Sequence, residues 1–402
     1  MMPTHVRQEL QKLNAFGACW MFLPVIPILV PYQLELGLNM QQVFWVQVFF
    51  GLVCALFEVP SGYLADVCGR KGLLLIGSLL WALGFAWLYL GVHDFWGMLI
   101  YEGLLGLAVS LVSGADLALL YDWQHSAEGG REAGTQALAN YQWAQVLSEA
   151  LAGLVCGLLV LQSFRAVLAC QACVALAPVV MACTLREPAY QKLSTDNHWQ
   201  NLQTVWRHVF VADVCLRLIF LNQILWSLAT FVMVWLNQKI WQVAGLPLAV
   251  FGILWTLINL LVGLTGRQVV RLEKRHGSEI LLISLGLLPI MGYALSALAH
   301  GWLLILAGCL FPISRGITQI LLKDAINWRT PAAIRATVLS LNSLLFRLGF
   351  ALLGPLTGWA TDHLGLRITL WGLAGLFSLG FICALRPLLR EVSALSRRSP
   401  VA

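Results

Sequence analysis

The chain has 402 residues, of which 59% are hydrophobic and only 11% are charged. A soluble protein carries about 25% charged residues, so this much apolar surface cannot be hidden in a soluble core and needs lipid as its solvent. The net charge of +6 could indicate binding to nucleic acid. However, the cations lie in short loops between apolar segments, which is typical of a charge bias across a membrane.

Apolar segments of about 20 residues predict twelve transmembrane helices. In chain order the predicted spans are 14–34, 42–65, 73–92, 97–120, 137–161, 166–185, 210–236, 249–268, 279–298, 302–322, 334–358 and 367–385. The predicted domains are a six-helix bundle at 1–185, a polar cytoplasmic linker at 186–208, a second six-helix bundle at 209–385 and a cytoplasmic tail at 386–402. The predicted fold class is therefore an all-α integral membrane protein.

The positive charges predict the orientation of these spans. With the N-terminus placed in the cytoplasm, most of the 25 Lys and Arg residues fall on the cytoplasmic side, and only Arg165, Lys239 and Arg367 fall outside. Because cytoplasmic loops carry the excess of Lys and Arg, this asymmetry supports the orientation chosen. We expect a multi-pass protein of the cell inner membrane with both termini in the cytoplasm.

The end of the second span introduces a repeated pattern. The element Gly62-x-x-x-Asp66-x-x-Gly69 closes span two, and the same spacing recurs from Gly358 to Gly365 at the end of span eleven, on the opposite side of the membrane. Spans three, six, nine and twelve have uncharged interiors, whereas spans two, four, five, seven, ten and eleven carry charged residues within them. This pattern indicates inverted three-helix repeats around a central cavity.

The stretch "GYLADVCGRK" resembles the signature G-x-x-x-D-x-x-G-R-[KR] of the major facilitator superfamily, which lies between helices two and three. The matching residues are Gly62, Asp66, Gly69, Arg70 and Lys71. The resemblance implies two pseudo-symmetric six-helix halves and a gating role for a cytoplasmic charge cluster, which we define as Asp66, Arg70 and Asp122. Arg70 could pair with either acid, and simple satisfaction of charges at the interface is the alternative to gating.

Three further stretches resemble a bacterial F-E-[IV]-P-T-G subgroup of this superfamily, related to drug:proton antiporters. They are "FEVPSG" in span two, "SGADLALLYD" in span four and "RATVLSLNS" at the start of span eleven. Two features depart from the antiporter pattern: Glu102 stands where helix four usually carries arginine, and helix five lacks the usual proline. These departures weaken the case for a standard multidrug antiporter, and so for export.

Three acidic residues within spans are candidate proton-coupling sites, namely Glu58, Asp116 and Glu149. An ionisable side chain in the hydrocarbon region costs about 3 kcal/mol, so it usually faces a wet cavity or a partner. Low dielectric favours the neutral carboxyl, which lets such a group bind and release a proton. Permanent salt bridges with Arg315 or Arg347 are the alternative, and a bridge that breaks on protonation would combine both roles.

The basic residues within spans lie in the C-terminal half, so a cavity between the halves would have one acidic and one basic wall. That suits a substrate with a carboxylate or a zwitterion. The basic candidates are Arg217, Arg315 and Arg347, and Asp213 could satisfy Arg217 locally. Polar and aromatic residues that could also line the site are Trp20, Trp45, Tyr121, Trp143, Asn222, Trp226, Asn259, Gln319 and Asn342.

The function that these features favour is secondary active export of a small organic solute by proton antiport, through rocking of the two halves. Proton-coupled uptake on the same fold stays open as the alternative. We expect no enzymatic activity, no metal, no cofactor and no nucleic-acid partner, since Cys170-x-x-Cys173 stands alone and no nucleotide-binding loop occurs. The expected partners are the solute, protons and the bilayer, and the expected state is a monomer.

Overall fold

The computed structural model describes residues 4–125, 131–187, 213–330 and 335–398, with the backbone alone described at 59–68, 125, 131–136, 335–337 and 395–398. The predicted central linker therefore lies almost entirely outside the described residues. The helices are α1 (Thr4–Trp20), α2 (Leu29–Glu35), α3 (Met40–Cys68), α4 (Arg70–Leu90), α5 (Phe95–Val112), α6 (Ala115–His125), α7 (Arg131–Leu159), α8 (Phe164–Val174), α9 (Ala177–Thr184), α10 (Val214–Val243), α11 (Leu248–His276), α12 (Ser278–Leu298), α13 (Trp302–Arg329), α14 (Arg335–His363), α15 (Leu366–Gly380) and α16 (Arg386–Arg398).

Several helices begin at side chains that accept hydrogen bonds from free backbone N–H groups. Asn39 forms a capping box at the start of α3, because its side chain accepts from the Gln42 N–H at 2.8 Å while the Gln42 side chain accepts from the Asn39 N–H at 3.0 Å. Asp94 caps α5 through the Gly97 N–H at 2.8 Å. Ser163 caps α8 in the same way. These caps set where the predicted spans start.

Three glycines adopt nearly the same left-handed backbone conformation where a helix follows another without a loop. Gly69 (φ 79°, ψ 155°) precedes α4, Gly277 (φ 84°, ψ 156°) precedes α12 and Gly365 (φ 87°, ψ 153°) precedes α15. This conformation is essentially restricted to glycine. Gly69 and Gly365 occupy the repeated motif of the sequence, so their shared geometry supports the expected three-helix repeat, and Gly277 adds a copy that the sequence spacing did not show.

Among the described residues, eleven helical segments are long and apolar enough to cross a membrane. The remaining predicted span, 14–34, is divided: α1 ends at Trp20, a 3-10 turn covers Ile26–Ile28 and α2 follows. Pro24 and Pro27 explain the division, since proline lacks a backbone N–H and cannot continue a helix. The freed N–H of Val25 donates to Gln171 Oε1 at 3.3 Å.

Other predicted spans are interrupted within their length. Span four breaks between α5 and α6, span six breaks between α8 and α9, and a π-helical turn at Phe381–Leu385 interrupts span twelve. Breaks within membrane helices leave backbone groups for other partners and are tolerated where protein or a cavity supplies them. The break in span four places the candidate site described below.

The structure divides into two compact units, one made of Met1–Ser194 with Leu246–Leu260 and the other of Thr195–Gly245 with Leu261–Ala402. In the first unit, stacked and edge-on rings connect Trp20, Trp81 and Phe85 in the interior. In the second unit, Tyr293 stacks on Phe377 with ring centroids 5.6 Å apart, and its hydroxyl donates to the Ala229 carbonyl at 2.6 Å.

The start of α11 groups with the first unit because it packs closely on α7. A Cβ atom added at Gly252 would collide with the carbonyl oxygen of Gly153, and one at Gly153 would lie 2.6 Å from Thr256 Oγ1. The Thr256 hydroxyl donates to the Ala150 carbonyl at 2.7 Å. Small residues thus let these backbones touch, as is common between membrane helices. Residues Leu246–Leu260 thus group with residues that precede the predicted linker at 186–208.

Large apolar side chains remain exposed along the helices. In α4, for example, Leu83 is 58% exposed and Leu90 is 69% exposed. Trp96 and Trp302, each in the first turns of a helix, are about equally exposed. Exposed leucines along helices with tryptophans at helix ends are the pattern of a lipid-facing surface.

Candidate functional site

The candidate site lies where span four is interrupted. α5 ends at Val112, Gly114 takes a left-handed conformation with φ 91°, and α6 begins at Ala115. Asp116 therefore lies in the first turn of α6, where backbone N–H groups have no partner within the helix. The Leu117 N–H donates to Asp116 Oδ1 at 2.7 Å. The N-terminal end of a helix presents free backbone N–H groups, and here one of them binds the Asp116 side chain.

A second helix completes the surroundings of this carboxylate. The Tyr141 hydroxyl, from α7, donates to Asp116 Oδ2 at 2.7 Å. Tyr141 can approach because Gly17 of α1 faces its ring, and a Cβ atom at Gly17 would collide with that ring. Both carboxylate oxygens are therefore held, one by backbone and one by a hydroxyl.

These groups border a cavity of about 230 Å³, which we call the Asp116 cavity. Its lining includes Trp20, Ser113, Asp116, Tyr141, Gln142 and Gln145. Trp20 forms an aromatic wall that stacks on Trp81 with ring centroids 4.2 Å apart. An apolar wall with a few convergent polar groups is the usual make-up of a small-molecule site.

The other predicted proton-coupling residues lie elsewhere in the first unit. Glu58 is half-buried on α3. Glu149 is half-buried on α7, and its Oε1 accepts a hydrogen bond of 3.3 Å from Trp255 Nε1, beside the close contact of α7 with α11. Of the three acidic candidates, Asp116 is the one that lines the cavity.

The predicted substrate contacts fall into different surroundings. Trp20 lines the Asp116 cavity. Trp45 and Tyr121 are 45% and 41% exposed, and Gln319 is also exposed. The candidates that are half-buried are Trp143, Arg217, Asn259, Arg315, Asn342 and Arg347. Their contact with a solute stays a prediction.

Asn222 and Trp226 are fully buried in the second unit. The Asn222 amide donates to the Ala384 carbonyl at 2.9 Å, within the π-helical turn, and its oxygen accepts from Trp226 Nε1 at 2.9 Å. The Trp226 ring contacts Phe377 and Phe381. These contacts use both side chains to join α10 to span twelve, which argues against a direct contact with solute.

Asp213 also has a different partner from the one considered in the sequence. It caps α10 by accepting from the Leu216 N–H at 2.9 Å, and its Oδ2 lies 3.2 Å from Arg329 Nη1. The ion pair that the structure shows for Asp213 is with Arg329. Asp213 is an N-cap at the helix end rather than a charge within the span.

The structure contains one of the two ion pairs that the sequence allowed in the cytoplasmic charge cluster. The Arg70 guanidinium makes an ion pair with Asp122, and its Nη1 donates to the Ala118 carbonyl at 2.9 Å. Lys71 Nζ donates to the Cys183 carbonyl at 3.1 Å. Gly62 and Asp66 belong to α3, but their surroundings lie outside the described side chains.

Two acidic residues that sequence reasoning missed extend this region. Glu187 Oε1 accepts from the Arg70 N–H at 2.7 Å, next to the left-handed Gly69. Glu9, only 4% exposed, pairs with Lys12 at 2.6 Å and accepts from the Arg186 N–H at 3.0 Å. The sequence signal for Glu187 was its place directly after span six. Nothing local in the sequence marked Glu9.

Metal-type ligands do not gather in the described part of the chain. Within those ranges, no three His, Cys, Asp or Glu side chains lie close enough together to hold a metal ion. Cys170 and Cys173 lie in α8 as free thiols, the first half-buried and the second exposed.

Comparison with known proteins places the fold. The curated proteins contain no match to the chain. Among solved structures, a point mutant of the nucleoside transporter NupG superposes with a TM-score of 0.81 at 15% identity, over 95% of this chain and 99% of that one. The POT family transporter PepTSo has a TM-score of 0.72 at 14% identity, over 96% and 98% of the two chains.

A bacterial homologue of the human lysosomal transporter Spinster is also similar, with a TM-score of 0.73 at 14% identity over 97% and 99% of the two chains. At such low identity these likenesses show the fold alone. The model of the Major Facilitator Superfamily matches residues 13–343 of the sequence. The chain therefore belongs to the Major Facilitator Superfamily.

Proposed function

We propose that the protein is a secondary active transporter that exports a small organic solute, anionic or zwitterionic, in exchange for protons. Alternating access comes from rocking of the two six-helix halves predicted at 1–185 and 209–385. The proton gradient drives the cycle without a cofactor. The protein acts as a monomer in the cell inner membrane, with both termini in the cytoplasm.

The observation that carries the proposal is the Asp116 carboxylate, held at the break of a membrane helix and facing a cavity. In many transporter folds, discontinuous membrane helices form the substrate and ion sites, because the break exposes backbone groups and a helix terminus. Acidic residues within membrane spans commonly serve as proton relays. Asp116 combines both features, and Glu58 and Glu149 are the further proton-coupling candidates.

The substrate class is supported by two arguments. The similar solved structures include transporters named for nucleosides and for peptides, which are small polar organic solutes. The basic side chains within the predicted C-terminal half, Arg217, Arg315 and Arg347, suit a carboxylate on the solute. The acidic residues of the N-terminal half then handle the proton.

Gating is assigned to the cytoplasmic charge cluster with its neighbours Gly62, Gly69 and Lys71. Arg70 connects α4 to α6 through Asp122 and the Ala118 carbonyl, and Glu187 binds the first N–H of α4. Because these contacts join several helix ends, a change in any of them alters how readily the helices separate. That is the property a gate requires.

The test is untargeted mass spectrometry of cells and medium. Strains that express the wild type, Asp116→Asn, Glu58→Gln or no protein are compared, with Asp324→Asn as a matched control because Asp324 is exposed on α13. We expect a compound enriched in the medium with the wild type and Asp324→Asn, and lost with Asp116→Asn.

Each other outcome of this experiment has a definite meaning. Enrichment inside the cells would overturn export and make the protein an importer. Full export by Asp116→Asn would contradict the proposal that Asp116 couples proton movement to export. Full export by Glu58→Gln would leave Asp116 and Glu149 as the proton-coupling candidates.

A further inference from the structure

Glu102 is a buried acid that the proposed site does not use. It lies on α5 and is 3% exposed, and its Oε1 accepts a hydrogen bond of 2.8 Å from Gln47 Nε2 on α3, where Gln47 is 5% exposed. Glu102 comes seven residues after Phe95 and Gln47 seven residues after Met40, so each lies about 10 Å from the start of its helix. In the predicted orientation that depth is in the outer part of the membrane.

The helices around Glu102 pack too closely to admit water between them. A Cβ atom at Gly106 would lie 2.9 Å from Val53 Cγ1 and 3.1 Å from the Phe50 carbonyl oxygen, and one at Gly103 would lie 3.2 Å from the Phe49 ring. The α3 and α5 backbones are therefore in near contact directly after the Gln47–Glu102 pair, and both members of the pair are buried. Solvent does not stabilise a charge at this place.

The charged and titratable groups of the neighbouring elements lie away from Glu102. On α3 the described acid is Glu58, eleven residues past Gln47, and Cys54 donates to the Gly106 carbonyl at 3.4 Å.

On α4, Phe85 contacts the Tyr101 ring next to Glu102. Tyr89 lies one turn further along α4, and Arg70 and Lys71 lie at the opposite end of that helix. On α6 the acids are Asp116 and Asp122, fourteen and twenty residues further along the chain, and on α5 itself Tyr101 is adjacent in sequence.

The described ion pairs leave Glu102 without a cation. They join Lys12 to Glu9, Arg70 to Asp122 and Arg329 to Asp213. A carboxylate that is buried in an apolar helix contact with one neutral donor is far less stable than the neutral acid. The neutral acid keeps the bond from Gln47, since its carbonyl oxygen still accepts.

We propose that Glu102 is a proton-binding site in the first unit, whose carboxyl carries a proton while α3 and α5 are packed around Gln47. Separation of these helices admits water and lets the proton leave, and repacking requires that it be taken up again. Glu102 thus provides a proton site toward the predicted outer end of span four, about 20 Å along the chain from Asp116. Its use in transport rests on the proposed function, whereas its protonation does not.

Infrared spectroscopy of the full-length protein in phosphatidylcholine vesicles tests this protonation without a substrate. A protonated carboxyl gives a carbonyl stretching band that an ionised carboxylate lacks. We expect the difference between wild type and Glu102→Gln at neutral pH to show loss of one such band. Glutamine keeps the shape of the side chain and its contact with Gln47, so this variant is expected to fold.

Glu9→Gln is the matched control, because Glu9 is about equally buried but forms an ion pair with Lys12 and accepts from the Arg186 N–H. Its difference spectrum should show no lost band of this kind. A band that is unchanged in Glu102→Gln would overturn the proposal, whether or not the protein exports a solute.

A second variant keeps the proposal testable if Glu102→Gln fails to fold. Gln47→Met removes the amide donor but keeps a side chain of similar size. Because that donor favours the ionised carboxylate, we expect a protonated-carboxyl band to persist to higher pH in Gln47→Met than in the wild type, and the change by itself assigns the band to the partner of Gln47, Glu102. A titration identical to that of the wild type would contradict the role of Gln47.

Discussion

The Tyr141 hydroxyl donates a hydrogen bond of 2.7 Å to Asp116 Oδ2 across two helices of the first unit. The Leu117 N–H holds the other oxygen at 2.7 Å. The tyrosine is thus a positioning residue for the acid that lines the cavity. Its removal tests whether the orientation of that acid matters.

For Tyr141→Phe we expect export to slow about tenfold at unchanged protein abundance. A hydrogen bond to a charged group contributes about 1.5–3 kcal/mol, and about 1.4 kcal/mol corresponds to a factor of ten in rate. The measurement is the initial rate of efflux of the compound identified by mass spectrometry. Tyr89→Phe serves as control, because Tyr89 lies beside Arg165, with the guanidinium carbon 5.5 Å from its ring centroid. Equal rates for both variants would argue against a role for the Tyr141 hydroxyl.

The ion pair of Arg70 with Asp122 should contribute a small, measurable interaction energy. Both side chains are 22% exposed, so solvent screens the pair in part. We expect a double-mutant cycle of Arg70→Ala and Asp122→Ala to give about 0.5–1 kcal/mol. Thermal unfolding in detergent supplies the values. A cycle of Lys71→Ala with Asp122→Ala is the control and should give an interaction energy near zero.

Close packing of α7 on α11 predicts sensitivity to added volume at Gly252. The collision of a Cβ atom with the Gly153 carbonyl would separate the helices and lengthen the bond from Thr256 to the Ala150 carbonyl. We expect Gly252→Val to destabilise the protein by about 1–3 kcal/mol in thermal unfolding. Gly372→Ala is the control, because a Cβ atom there has no neighbour within 4 Å. If both variants unfolded like the wild type, the contact would be looser than described.

Asn222→Ala should affect stability more than it affects transport by the folded protein. The change leaves the Ala384 carbonyl and Trp226 Nε1 without their partner in a buried place, which costs about 1–3 kcal/mol. Asn259→Ala should cost less, since the Asn259 amide donates at 3.1 Å to Trp255 of its own helix. Lost transport with unchanged thermal stability in Asn222→Ala would instead support the predicted contact with solute.

Local properties of the sequence were sufficient to predict that the protein spans a membrane and to locate most of its helical spans. They were also sufficient to identify the motif around Arg70. Span prediction works because the hydrophobic thickness of the bilayer translates directly into the length of an apolar run. Asp116 and Trp20 were named as site candidates because an acid or a tryptophan in such a run is conspicuous by itself; both line the Asp116 cavity, and their roles stay predictions. The first span was mistaken for a single helix, because apolar content outweighed the two prolines that divide it.

The tertiary structure decided what these residues contact. Tyr141 was missed while Trp143 was chosen, because two residues apart on a helix face nearly opposite directions and sequence alone does not set the rotation. The partner of Glu102 is Gln47, 55 residues earlier, and the partner of Asn222 is Ala384, 162 residues later. Such pairs form only when helices pack side by side. Composition therefore determined that the chain lies in lipid, whereas packing determined which residues meet in the candidate site.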